Sequence, residues 1–143
     1  MPLTSILLIL LAAAWQGNSV VLKPCPESPN CVNTYQEDDK HSPMTPLPVY
    51  GSIQESMQLL TQMIEEMPRT TLVRMDSTYL HVEFKIALFG FIDDVEFQVI
   101  DQNIHFRSAS RKGYYDLGVN RNRMEDIQQA WKDITDNKKS DKP

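Results

Sequence analysis

The residues best equipped for chemistry in this sequence gather in one polar stretch, 106–123, which reads FRSASRKGYYDLGVNRNR. Within it stand Ser108, Ser110, Arg111, Asn120, Arg121 and Arg123. Hydroxyls, an amide and guanidiniums at the start of a helix make a pocket suited to phosphate, sulfate or carboxylate. The same residues also have an internal reading. Arg121 and Arg123 fall in the first turn of a predicted helix, whose positive end disfavours cations, so they call for carboxylates. Asp93, Asp94 and Asp116 are the candidates, with Arg107 and Arg111 as further partners. Such an ion-pair cluster would pin the stretch to the rest of the fold.

Other catalytic arrangements fit less well. There is no GxSxG elbow, and no HExxH or CxxC zinc pattern. His81 and His105 fall on predicted strands, and Asp93 or Asp94 could supply a carboxylate to a hydrolytic or metal-dependent site. Neighbouring aspartates on one strand point to opposite faces, however, and make a poor catalytic pair. No metal site and no cofactor are expected.

The elements that must position these residues follow from periodicity. Residues 52–67 predict a helix, with Ser52 and Glu55 as a capping box, an apolar face of Ile53, Met57, Leu60, Ile64 and Met67, and Pro68 as its stop. Residues 70–75 predict a strand, turned at Asp76-Ser77. Residues 79–86 alternate, with Leu80, Val82, Phe84 and Ile86 on one side. Residues 87–92 are apolar at both parities around Gly90, which predicts a strand end buried on both faces or a bulge. Residues 94–100 place Val95, Phe97 and Val99 inward, and 104–108 place Ile104 and Phe106 inward. A second helix starts at Val119 or Asn120, with Asn120 a good N-cap and Met124, Ile127, Trp131 and Ile134 as its apolar face.

The expected fold is therefore α+β: an antiparallel sheet of about four strands, two helices on one face, in the order helix, strands, helix. The other face carries His81, Glu83, Lys85, Asp94, Glu96, His105 and Arg107, for which a solvated surface is the ordinary reading.

At 143 residues, with 41% apolar and 23% charged side chains, the chain fits one soluble domain. A net charge of −5 argues against nucleic acid as a partner. Residues 1–14 read as a signal peptide: the run ILLILL at 6–11 is too short to span a bilayer, and Ala12 and Ala14 suit cleavage before Trp15. Residues 15–50 form an extended Cys/Pro-rich arm, 51–135 the α+β domain, and 136–143 a polar, frayed tail. Cys25 and Cys31 are close enough for a disulfide in an exported chain, and Lys23-Pro24 is wrong for lipid attachment at Cys25.

Three stretches in order, CPESPNCV, LFGFIDDVEF and FRSASRKGYYDLGVNRNRMEDI, resemble the uncharacterised family catalogued as domain of unknown function (DUF) 1499. The likeness runs from about Cys25 to Trp131. It marks Cys25, Pro26, Ser28, Pro29, Asn30 and Cys31; Phe91, Asp93 and Asp94; and Arg107, Ser108, Ser110, Arg111, Gly113, Asp116, Gly118, Asn120, Arg121 and Arg123. It implies export, supplies no activity, and suggests that the cysteine loop, the aspartates and the arginines converge. The sequence thus predicts an exported periplasmic or extracellular protein. Its leading reading is a non-enzymatic binding or accessory domain for a small anion or envelope component, touching membrane only if the N-terminal segment is uncleaved. A hydrolase or metal-dependent enzyme built on Asp93 or Asp94 with His81 or His105, and a purely structural envelope protein, stay open as alternatives.

Overall fold

The computed structural model describes residues 21–35 and 43–141; the expected signal peptide and the charged run 37–40 lie outside them. In chain order the elements are β1 (Cys31–Asn33), β2 (Leu47–Pro48), α1 (Ile53–Glu65), β3 (Thr70–Met75), β4 (Tyr79–Lys85), β5 (Ile92–Ile100), β6 (Asn103–Ser110) and α2 (Val119–Ser140). The fold is α+β with two helices, and its sheet is antiparallel in the order β1-β6-β5-β4-β3, with β2 also on β6.

Among the described residues six strands stand where about four were expected, because the arm pairs with the sheet. Cys31 faces Ala109, Asn33 faces Arg107 and Leu47 faces Ile104, so two pieces of the arm pair with the outer edge of β6, one near each end. Its prolines permit only short pairing, since proline has no N–H for a ladder. These two strands precede α1, so the order is not simply helix, strands, helix.

Alternation sorts the sheet as the pattern requires. Leu80, Val82, Phe84, Val95, Phe97, Val99, Ile104 and Phe106 face a single core shared with Met57, Leu60 and Ile64 of α1 and Met124, Ile127 and Trp131 of α2. Both helices therefore cover the same face. α1 begins with the expected capping box, in which Ser52 and Glu55 satisfy each other's backbone N–H groups. The indole N–H of Trp131 donates to the Pro48 carbonyl at 3.0 Å, tying α2 to the arm.

Three local expectations change. Segment 87–92 is neither a buried strand end nor a bulge: β4 and β5 are joined by a hairpin whose tip faces water, with Leu88 79% and Phe89 68% exposed. Gly90 turns it at φ +66°, a conformation that side chains with a Cβ resist. Secondly, α2 continues to Ser140 through residues expected to fray. Asp136 there accepts from Lys132 at i−4 and Lys139 at i+3, pairs that favour helix. Thirdly, Asn120 does not cap α2; Gly118 does, in the left-handed region at φ 77°.

Phe97→Ala is expected to cost about 3–5 kcal/mol in urea unfolding, because it opens a cavity between both helices and the sheet. Leu88→Ala should change stability by less than about 0.5 kcal/mol, as befits an exposed tip. Equal losses at the two positions would contradict this assignment of inside and outside.

Candidate functional site

β5 carries the two consecutive aspartates, and strand geometry sends them to opposite faces. Asp93 shares the parity of Val95, Phe97 and Val99, so it points under α2; Asp94 points to the outer face. Each aspartate organises its own polar network.

On the inner face Asp93 is 2% exposed, and a buried carboxylate needs a counter-charge. Arg123 supplies it from the second turn of α2, with Nη2 donating to Asp93 Oδ2 at 2.6 Å. Its other terminal nitrogen, Nη1, donates to Asn120 Oδ1 at 2.9 Å and to Ser108 Oγ at 3.2 Å. The guanidinium also stacks over the Phe84 ring, 4.8 Å from its centre. Ser108 Oγ donates to Asn120 Oδ1 at 2.6 Å. The amide nitrogen of Asn120 donates to Ser110 Oγ, to Asp116 Oδ2 and to the Asn30 carbonyl.

Asp116 holds the start of α2. Its carboxylate accepts from the backbone N–H of Gly118 and of Asn120, both at 3.0 Å. That satisfies donors at the helix start and places negative charge at its positive end. The cysteine loop closes over this network. Cys25 and Cys31 form a disulfide with Cα atoms 5.7 Å apart. Within the loop Ser28 Oγ donates to Asn30 Oδ1, while Asn30 Nδ2 donates to the Gly113 carbonyl at 2.6 Å. The Asn30 carbonyl also accepts from the Ser110 backbone N–H. One asparagine thus joins the disulfide loop to the end of β6, the glycine loop and α2.

On the outer face Arg111 grips Asp94 with two bonds, Nε to Oδ2 at 2.7 Å and Nη2 to Oδ1 at 2.8 Å, and bonds Glu83 as well. His81 Nε2 lies 2.8 Å from Asp94 Oδ1. The Arg111 hydrogen bonds, aided by His81, hold the Asp94 carboxyl below its usual value, and Asp94 with Glu83 pushes the guanidinium up. Beside this group Glu96 accepts from Tyr79 at 2.5 Å and lies 3.5 Å from Arg107. Burial and the Glu96 contact raise the Tyr79 phenol. Gln98 Oε1 and Arg107 Nε on this face are buried with no hydrogen-bond partner among the described residues.

Placed against the sequence candidates, the arginines and aspartates do not meet in one cluster. Asp93 takes Arg123, Asp94 takes Arg111, Arg107 goes to Glu96, and Asp116 serves backbone N–H groups and Asn120. Arg121 lies 3.6 Å from Glu125. Of the residues considered for an anion, Ser108 and Asn120 are buried and bonded to each other, while Arg111 and Arg121 keep part of their surface in water. His105 contacts Thr34 Oγ1 at 3.2 Å. Among the described residues no group of three or more His, Cys, Asp or Glu side chains is arranged to hold a metal ion. Sequence reasoning placed Glu83 and Glu96 on the outer face with Asp94 and Arg107 as ordinary solvated charges, and overlooked Asn30 as a hub and Tyr79 as a partner. Strand register, which pairs Glu83 with Asp94 and Glu96 with Arg107, is the signal that finds the acidic pair.

Two outcomes follow. Asp93→Ala and Arg123→Ala should each cost about 3–5 kcal/mol, since either leaves the other charge buried alone. The double variant Asp93→Leu/Arg123→Met should be far more stable than the sum of the singles; additive losses in denaturant unfolding would refute the pairing. For Asp94 the folded value is depressed, so its stabilisation is complete above the ordinary carboxylate value of 3.8 and is lost as pH falls through the folded value. The stability gap between wild type and Asp94→Asn should therefore close on acidification; a gap unchanged in acid contradicts it.

No curated protein matches the chain. A family described as "Protein of unknown function (DUF1499)" matches residues 21–131, a span holding the disulfide loop, both aspartates and the start of α2, and the chain belongs to that family.

Proposed function

We propose that the chain is a non-enzymatic binding or accessory domain of a cell envelope, whose polar chemistry locks the fold while two loops make the contact. The observation that carries this reading is a division within stretch 106–123. Ser108, Ser110, Asp116, Asn120 and Arg123 bond one another or the Asn30 hub. Tyr114, Tyr115 and Leu117, in the same stretch, stand in water. A fold that fixes a loop so firmly and leaves its large side chains outside is built to present them. The hydrophobic run 6–11 and the disulfide support placement outside the cytoplasm. An anion site in this scheme uses Arg111 and Arg121 at the surface, beside the lock and not within it.

A second reading, a hydrolytic or metal-dependent site, draws support from the His81–Asp94 contact. It is the weaker one, because Asp94 is already bonded by Arg111 and Asp93 lies on the opposite face.

A photo-crosslinking residue placed at Tyr114 should give adducts in whole cells, and one at Ser77, in the turn between β3 and β4, should give none. Equal yields at the two positions, or none at Tyr114, would remove the loops as the contact surface.

A further inference from the structure

The two exposed loops leave the same end of the sheet. Lys85 faces Ile92 at the base of the β4–β5 hairpin, Asp93 faces Ser110, and the Arg111 backbone N–H donates to the Ile92 carbonyl at 3.1 Å. The hairpin tip offers Leu88, Phe89 and Phe91, whose two rings stack 5.7 Å apart. The second loop offers Tyr114 at 71%, Tyr115, and Leu117 at 79% exposure. An apolar group of this size on a soluble domain marks an interaction surface.

We propose that this end of the domain docks into the interface of a bilayer carrying anionic lipid headgroups, an inference that rests on the binding reading above and names its partner. Two observations select lipid. The first is chemical order. Leucine and phenyl side chains occupy the hairpin tip, and tyrosines with lysines flank them, as the change from hydrocarbon to headgroup demands.

The second is charge. The chain is acidic overall, yet Glu83 and Asp94 are bound by Arg111, Asp93 by Arg123, and Asp116 by the start of α2. Exposed Lys112 opens the glycine loop. Lys85 lies along the hairpin turn, its Cε 3.4 Å from where a Cβ on Gly90 would stand. Arg69 joins it through a bond from Nε to the Lys85 carbonyl, and the two line an open groove of about 410 Å³ that Asp126 also lines. Basic groups around an apolar tip suit an anionic membrane surface.

Among the described residues no helix is long and apolar enough to cross a membrane. The sequence alone suggested membrane contact through the N-terminal segment only; the loops add a second point.

The test uses the full chain with Leu88→Cys or, separately, Ser77→Cys, each labelled with a polarity-sensitive dye. Each is mixed with phosphatidylcholine vesicles, with or without phosphatidylglycerol. Ser77 sits at the opposite end of the sheet from the hairpin tip. The dye at 88 should brighten and shift to shorter wavelength with anionic vesicles, and the dye at 77 should remain as in water. Lys85→Gln with Lys112→Gln should lower the ratio of docked to undocked tip roughly twenty-five-fold, about fivefold per lysine. A dye at 88 that stays in water with both lipids, or equal responses at 88 and 77, overturns the proposal. If that result coincides with protein adducts from Tyr114, the lipid is wrong and the binding reading stands; without adducts at Tyr114, both fall.

Discussion

A carboxylate on the inner face of a sheet is the constraint around which this domain is arranged. Asp93 occupies a position that alternation assigns to the core, and an isolated charge there would be severely penalised. Arg123 resolves the conflict, but only if α2 starts at one place and crosses β5 and β6 at one register. Its second nitrogen then requires Asn120 and Ser108, and Asn120 in turn requires Asp116 and Asn30. The disulfide loop, the glycine loop and the helix start are consequences of a single ion pair being satisfied. A pair of this kind contributes more to uniqueness than to net stability, because the same volume filled with apolar side chains could be equally stable.

The two faces of β5 divide the labour. On the inner side each terminal nitrogen of Arg123 has a partner. The outer side is looser: Arg111 is partly in water, and Gln98 Oε1 and Arg107 Nε have no hydrogen-bond partner among the described residues. The inner network is a lock, while the outer one behaves as a partly solvated surface whose strength depends on pH and salt. This difference is why the functional reading moves away from the guanidiniums and toward the loops that the lock holds still.

Much of this was legible in the residues. Period-2 alternation gave the inward sets Leu80-Val82-Phe84 and Val95-Phe97-Val99, and the same parity sends Asp93 and Asp94 apart. The Ser52–Glu55 box and Pro68 bounded α1 to within two residues. What was not legible depended on tertiary pairing. The arm looks irregular because its strands are only three and two residues long, formed by an edge of β6 that local sequence cannot reveal. Segment 87–92 looks buried because apolar residues usually are, and nothing local says that they form a tip. Asn120 looks like a cap by type, yet its side chain is drawn inward to Ser110 and Asp116, leaving capping to Gly118 and the Asp116 carboxylate.

The Asp93–Arg123 network puts the start of α2 within the most stable part of the molecule, although it follows an exposed loop. Native-state hydrogen exchange of the Asn120 backbone amide, compared with Phe97 and Phe106 in the central strands, tests this directly. Asn120 is expected to exchange only with global unfolding, at the same free energy as the strands. Exchange of Asn120 through local opening, while the strands stay protected, would contradict it.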